Sequence, residues 1–374
     1  MGQAKLMLLA AYLFLPLSYF SVFGVRFLFI QVLLVVSSVF ISIFYFKRVW
    51  LDASFWSGPL IFFLLFGVSF FTKDFSVLMA FSAFIMFAYW QAFFDEIQLN
   101  DFVLVLKKAY SVAALISAIG VIGQFLMNDF YKIEIARVEY FGGGRTAYSF
   151  LWQDFSFLSL FVVSAIPIVY VCFHKKIRFL VILLLIFSSI ATSARTGIVS
   201  LTIFSIFIFI FIFLKSVFSG KANSNIGLGF FLILILFFFV PSFLTFFTGR
   251  ELTFSSSGRF EGFAAGLNFL SNNVVWGAMF DINYFVENIA IIPHNIFLYF
   301  MIMGGMVFFV LFLAWFFQIC WVVRYADKDL IFALFIVFIG FQFIPSFFSG
   351  YFAACLLGLA FSSARTNLSK LGSV

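Results

Sequence analysis

Charged side chains are scarce in this sequence. Asp, Glu, Lys and Arg supply 10% of its 374 residues, against roughly a quarter in ordinary soluble domains. With 65% hydrophobic residues, 67 phenylalanines and a mean hydropathy of +1.18, there is too little polar surface to cover a water-soluble globule. The chain is therefore read as an all-α polytopic membrane protein. Histidine is rarer still. His174 and His294 are the only two, too far apart in the sequence to suggest a metal-ligand set. The three cysteines, Cys172, Cys320 and Cys355, sit in or at the ends of apolar runs without paired spacing, which indicates neither a disulfide nor a metal site. No cofactor is implied. The ten-residue alternating segments of a transmembrane barrel are missing, because the apolar runs are continuous. No small-residue cleavage site follows the first run, Leu6 to Phe23, so it reads as a retained helix rather than a removed signal. The pI of about 9.3 comes from basic residues scattered between apolar runs, as topology requires, and gives no sign of nucleic-acid binding.

What the chain does have is long apolar stretches. A helix needs ~20 such residues to cross ~30 Å of hydrocarbon. On that basis the sequence predicts about twelve spans in one transmembrane domain over 1–374, at 6–23, 27–46, 55–71, 75–94, 103–127, 150–173, 177–193, 197–214, 226–247, 295–317, 330–347 and 350–363. With the N-terminus in the cytoplasm, 14 of the 22 Lys and Arg residues fall in inside segments. That bias fits cytoplasmic N- and C-termini and an even number of spans. The kind of cation differs as well: inside there are 10 lysines and 4 arginines, outside 6 arginines and 2 lysines. Topology needs only positive charge. Arginine adds a planar fork of donors that grips phosphate or carboxylate bidentately.

Two outer, periplasmic loops are large, 128–149 and 248–294, and long loops in a tight protein are usually functional. In the second, Phe260, Phe263, Ala264, Leu267 and Leu270 recur at helical spacing. This predicts a short amphipathic helix near 258–271 lying at the interface, starting around Ser255 to Gly258 and packing through Gly262 and Gly266.

The residues 188–201, SSIATSARTGIVSL, raise the sharpest question. Phe179 to Leu214 is 36 residues with Arg195 as its only charge. As one helix it would be ~54 Å long, so it must fold back once. Ser193 to Gly197 is the polar, glycine-bearing point at which it can, and span parity puts this turn outside. An arginine in lipid costs at least ~2.5–3.5 kcal/mol, a cost that snorkelling to the headgroups reduces. A cation at a helix N-terminus also suits a phosphate-bearing ligand. Arg259, in SSSGRFEGF, repeats the pattern at the start of the loop helix, with Arg250 nine residues earlier. Arg145 follows three glycines, which serve either as a flexible turn or as an anion-cradling nest. His294, in IIPHNIFLYF, is expected in the first turn of the tenth span, where the helix dipole keeps the ring neutral and able to accept a proton. Asp154, just inside the sixth span, is a functional suspect by position. Glu261 is the alternative base to His294.

These pieces, in this order, resemble the O-antigen polymerase and O-antigen ligase superfamily of bacterial inner-membrane glycosyltransferases. The resemblance rests on SARTG at 193–197, SGRFEGF at 257–263, PHNIFLY at 293–299 with Gly304-Gly305, and more loosely on Arg145 followed by Asp154. The segment SNNVVWGAMF at 271–280 is similar to the family's stretch after the loop helix, with Ala278 where a second glycine is usual. The resemblance implies about twelve helices, a large periplasmic loop between late spans, and a substrate of undecaprenyl diphosphate carrying an oligosaccharide. It also implies membrane lipids and a chain-length regulator protein as partners. The reaction implied is metal-independent glycosyl transfer at the periplasmic face of the inner membrane, in lipopolysaccharide or other surface-polysaccharide synthesis. In that scheme Arg195 and Arg259 hold the diphosphate, Arg145 and Arg250 assist, and His294 takes the proton of the attacking hydroxyl. Polymerase is preferred because the extramembrane loops are modest. A ligase moving glycan to lipid A–core or protein shares the chemistry. A lipid-linked-oligosaccharide flippase would place charges near mid-span and show repeat symmetry. A cell-wall polymerase and a scaffold are further rivals.

Overall fold

A computed structural model describes residues 2–22, 25–45, 53–94, 96–141, 145–218, 259–289, 294–344 and 347–372. The expected span 226–247, Arg250 and the expected helix start at Ser255 to Gly258 lie outside these residues. The described chain is almost entirely helical: α1 Gly2–Leu13, α2 Leu28–Tyr45, α3 Ala53–Thr72, α4 Ser76–Tyr89, α5 Glu96–Tyr131, α6 Phe155–Ser164, α7 Ile166–Cys172, α8 Lys175–Ala191, α9 Arg195–Phe218, α10 Arg259–Asn272, α11 Ile282–Ile289, α12 Ile296–Val323, α13 Lys328–Gly340 and α14 Tyr351–Gly372. Two small antiparallel hairpins interrupt it, β1 Ser21–Val22 with β2 Val25–Arg26, and β3 Val138–Phe141 with β4 Arg145–Tyr148.

Among the described residues five segments are long and apolar enough to cross a membrane: Ser76–Phe93, Asp101–Tyr131, Phe155–Cys172, Arg195–Ser216 and Ile296–Val323. Each expected span other than 226–247 contains helix, but several are divided or displaced. The run from Leu6 to Phe23 is not one helix. It stops at Leu13, turns through a 3-10 segment at Leu15–Leu17 around Pro16, and ends in the first hairpin. Proline cannot continue a helix interior, since it lacks the N–H and clashes with the preceding turn. The 150–173 run is likewise split ahead of Pro167 into α6 and α7.

The last expected span, which carries the weakest apolar signal, is the most enclosed. From Tyr351 to Ala364 α14 is buried throughout. It packs on α4, α5, α12 and α13. A helix surrounded by protein uses small residues rather than lipid-facing bulk, and Gly358 shows why. A Cβ there would lie 2.6 Å from the Phe87 carbonyl. Around α14 the core is largely aromatic. Phe300 and Phe312 lie 4.1 Å apart by ring centroid, Phe300 and Phe348 5.0 Å, and Phe81 and Phe348 4.8 Å, in the tilted and edge-on geometries that aromatic quadrupoles favour. Two of its buried polar tips are matched: Trp315 Nε1 donates to Tyr89 Oη at 2.9 Å and Tyr12 Oη to the Cys355 carbonyl at 2.8 Å.

One end of the bundle is held by charge. Lys107 of α5, 5% exposed, donates to Asp327 at 2.8 Å and to Asp329 at 2.9 Å, both from the start of α13. Burial by itself would raise the Asp327 carboxyl, but the hydrogen bond and charge of Lys107, with hydrogen bonds from Asn367 and Ser363, together outweigh it and hold the group below its ordinary value. That contribution is fully present above the ordinary carboxylate pKa and is lost as pH falls through the lower folded value. Removing the cation leaves Asp329, 4% exposed, as a buried charge without its counter-ion. Lys107→Met is expected to destabilise by about 3–5 kcal/mol, read as a lower melting temperature in detergent. Adding Asp329→Leu should recover most of the loss. A single variant that melts with the wild type would show that the triad contributes nothing.

Candidate functional site

Arg195 is placed by a turn that the local sequence builds in three steps. α8 ends at Ala191, and Ser193 takes a left-handed conformation (φ +58°), with its N–H on the Ile190 carbonyl at 2.9 Å. This is the usual way a helix is closed off. Thr192 Oγ1 then donates to the Ser189 carbonyl at 2.7 Å and accepts from the Ala194 N–H at 3.2 Å. Arg195 opens α9, so the fold-back lies where the 36-residue apolar run demands it.

The turn is fixed against α6 by Ser159, which is fully buried. Its Oγ lies 2.7 Å from Ser189 Oγ, accepts from the Gly197 N–H at 3.2 Å, and reaches the Ala194 carbonyl at 3.3 Å. One of the N-terminal N–H groups of α9 is thus satisfied from another helix. Gly197 permits the approach, because a Cβ there would lie 2.4 Å from the Ser159 carbonyl oxygen. Thr196 and Ala194 are buried and Arg195 is half-exposed. The guanidinium-bearing residue therefore stands at the positive end of a helix, on a turn locked from two sides.

Asp154 is not inside a span. It is the N-cap of α6, accepting from the Ser156 N–H at 2.6 Å and the Phe157 N–H at 3.0 Å. A carboxylate there satisfies orphan donors and complements the helix dipole. Two residues before Asp154, Trp152 packs against Tyr19 in a tilted geometry with ring centroids 4.7 Å apart. Arg26, exposed at the end of the first hairpin, is a further cation that the motifs do not include. Its only sequence signal is its place in the loop between the first two runs.

Beside Asp154 stands the second hairpin. Arg145 lies on β4, paired with Phe141 on β3. The hairpin is tied to the end of α5 by Tyr148 Oη, which donates to Asp129 at 2.8 Å and accepts from Asn128 Nδ2 at 3.1 Å, and by Tyr140 Oη, which donates to Glu134 at 2.6 Å. Burial and the Asp129 carboxylate push the Tyr148 phenol up to about 12, so it remains a donor across the physiological range. Arg137 donates to the Gln153 carbonyl at 2.6 Å and pairs with Glu139, which commits it to holding the hairpin.

His294 is not in the first turn of the tenth span. Asn295 caps that helix, accepting from the Phe297 and Leu298 N–H groups at 3.1 and 3.0 Å, and His294 stands exposed just before it. Asn295 Nδ2 also donates to Gln342 Oε1 at 3.0 Å, just past the end of α13. Phe341, at the end of α13, lies 6.0 Å by ring centroid from Phe157 in the first turn of α6, and Ser159 of α6 meets Gly197 in the first turn of α9, so the starts of α6, α9 and α12 share one end of the bundle. Lys107 and Asp327 mark the other, since Asp327 follows α12 and Cys172, at the far end of α7, lies within electrostatic reach of Lys107. Arg195, Asp154 and His294 are thus brought to the same end.

Arg259 is the first residue of α10 and Glu261, two residues on, is exposed. α10 packs on α12. The packing face is the small one, with Gly262 and Gly266 buried and Ala265 and Phe269 against the core, while Phe263 and Leu267 point outward. The chain then doubles back into α12, which is broken at Gly305 (φ +65°, ψ −171°). The groups freed by the break are taken by 274–280. Ala278 and Phe280 donate to the Ile302 and Met303 carbonyls, each at 2.8 Å, and the Met306 N–H donates to the Val274 carbonyl at 2.9 Å. Gly277 (φ +58°) and Gly305 interlock here. A Cβ on Gly277 would lie 2.2 Å from the Ile302 oxygen, and one on Gly305 2.2 Å from the Val275 oxygen.

No family model matches this chain, nor does any curated protein. The site is therefore interpreted from its own chemistry: a cation at a locked helix N-terminus, a solvent-facing imidazole ahead of a second helix, and a carboxylate-capped third helix, all at one end.

Proposed function

We propose that this protein is an O-antigen or related surface-polysaccharide polymerase of the bacterial inner membrane, joining undecaprenyl diphosphate-linked oligosaccharide repeat units at the periplasmic face. The observation that carries this reading is the Arg195 turn. A half-exposed arginine opens α9 on a support of Ser159, Ser189 and Gly197, at the bundle end that also holds His294. A rigid cation at a helix start is suited to an oxyanion that develops during reaction.

In the reaction an acceptor hydroxyl attacks the anomeric carbon of the donor sugar. The bond from that carbon to the diphosphate oxygen breaks, and undecaprenyl diphosphate departs with the electron pair. Arg195 and Arg259 stabilise the negative charge that builds on the leaving group, with Arg145 and Arg250 supporting. His294 accepts the hydroxyl proton, with Glu261 as the alternative base. The exposure of His294, and its place ahead of the Asn295 cap rather than within the helix, leave the ring accessible to an incoming sugar. Outward-facing Phe263 and Leu267 suit α10 to a lipid interface.

The broken α12 is the feature that most favours a transporter, whose sites commonly use discontinuous helices. Transporters leave the unwound backbone groups for substrate. Here Ile302, Met303 and Met306 are already bonded to 274–280, so the break anchors the outer segment instead.

The test is purified protein in nanodiscs supplied with lipid-diphosphate repeat units. Ladders of longer glycans support polymerisation. Transfer only onto added lipid A–core indicates a ligase, and no new glycosidic bond removes the enzymatic reading. His294→Ala should lower turnover by about 10²–10⁴-fold, with donor affinity within about twofold of wild type. Undiminished turnover would pass the base role to Glu261.

A further inference from the structure

We propose that Lys108 on α5 and Lys175, Lys176 and Arg178 on α8, at the bundle end opposite Arg195, together hold the phosphate of an anionic membrane phospholipid. α5 and α8 pack against each other, with Phe125 and Phe187 5.8 Å apart by ring centroid. Cys172, at the end of α7, lies within electrostatic reach of Lys108, and only Phe173 and His174 separate it from Lys175. The cations of the two helices are thereby gathered beside one turn. Lys108, Lys175 and Lys176 are exposed. None of the four has a carboxylate partner among the described residues, whereas Lys107 is bonded to both Asp327 and Asp329.

The helix faces that these cations head show what the anion is attached to. On α5, Val112, Ile116 and Ile119 continue the face of Lys108 at helical spacing, and all are exposed. On α8, Leu180, Leu183 and Phe187 continue the face of Lys176 in the same way. Each lysine thus heads an apolar stripe that faces hydrocarbon in a membrane-spanning bundle, with its ammonium free to reach the headgroups. A phospholipid matches both parts, its acyl chains on the stripes and its phosphate on the lysines. Arg178 stacks on Tyr170, 4.2 Å from the ring centroid, and Tyr170 is itself exposed. Tyrosine favours the same interfacial depth.

Charge complementarity gives the sign of the lipid. Orientation in the membrane asks only for cations somewhere in the flanking segments. Here three of them open α8, whose first turn holds no acidic residue, a placement that the helix dipole opposes. A headgroup with a net negative charge offsets that opposition. A zwitterionic headgroup brings its own cation to the same place and offsets less.

The experiment is native mass spectrometry of the full-length protein with equal amounts of phosphatidylglycerol and phosphatidylethanolamine. Wild type should retain one phosphatidylglycerol about tenfold over phosphatidylethanolamine. Lys108→Gln and Lys176→Gln should each lower that preference about fivefold, the effect of one basic residue beside an anionic headgroup, and the double variant should abolish it. Both lysines are exposed, so neither substitution disturbs packing. Arg324→Gln removes a cation at the same bundle end, one that stacks on Trp321 at 3.4 Å, and should leave the preference unchanged. Equal retention of the two lipids by wild type, wild-type preference in the double variant, or a loss with Arg324→Gln equal to that with Lys108→Gln would overturn the proposal. Retention of inorganic phosphate in place of the lipid would overturn the lipid assignment. None of these outcomes depends on glycosyl transfer.

Discussion

Arg195→Lys should abolish glycan chain extension in cells and in nanodiscs while the protein accumulates at its normal level. The substitution keeps the charge and removes the fork. A lysine ammonium is a point charge, whereas the guanidinium presents donors that match two phosphate oxygens at once. Loss of one such donor from an oxyanion typically costs about 10²–10³ in turnover, enough to erase a ladder. Folding should survive. The turn is held by Ser193 in its left-handed conformation, by Thr192 Oγ1, and by Ser159 on the Gly197 N–H, and none of these uses the Arg195 side chain. Arg259→Lys should behave alike. Near-normal polysaccharide length from both variants would withdraw the diphosphate role.

Gly305→Ala should have the largest structural effect of any single methyl addition considered. The backbone at φ +65°, ψ −171° belongs to a region essentially closed to L side chains, costing about 1–3 kcal/mol. The new Cβ would also stand 2.2 Å from the Val275 carbonyl oxygen, and overpacking of that kind costs about another 1–3 kcal/mol. The expected result is release of 274–280 from α12, seen as accelerated hydrogen exchange at Ala278 and Phe280 and a sharp fall in folded yield. Gly123→Ala is the control. It lies within α5 with nothing inside 4 Å of the added atom, and should be neutral or slightly stabilising. Equal behaviour of the two variants would mean that the interlock does not hold the segment.

What could be read from the sequence follows what each residue signals locally. The Arg195 turn was legible because 36 apolar residues cannot cross a bilayer once. The helix of α10 was legible from its spacing, and its close-packing positions from its glycines: Gly262 and Gly266 are buried, while Phe263 and Leu267 point outward. α14 carried a weak signal because a helix wrapped in protein gains nothing from lipid-facing bulk. His294 and Asp154 were each placed about one position too deep. Asn295 and Asp154 itself are the caps, and cap geometry is decided by a residue or two.

Long-range pairings left no trace at all. Ser159 meets Gly197 across 38 residues, and Lys107, counted only as a topological charge, meets Asp327 across 220. The Gly304-Gly305 motif was visible, whereas its partner, the backbone of 274–280, is specified by hydrogen bonds that any sequence with suitable glycines can make.

The most direct measurement is the affinity of the purified protein for undecaprenyl diphosphate, compared with uncharged undecaprenol, in wild type and Arg195→Lys. If the Arg195 turn grips the departing pyrophosphate, the substitution weakens diphosphate binding at least about tenfold, the scale of one charge-assisted hydrogen bond, and leaves undecaprenol binding unchanged. Equal diphosphate affinity in the two proteins would contradict the account at its centre.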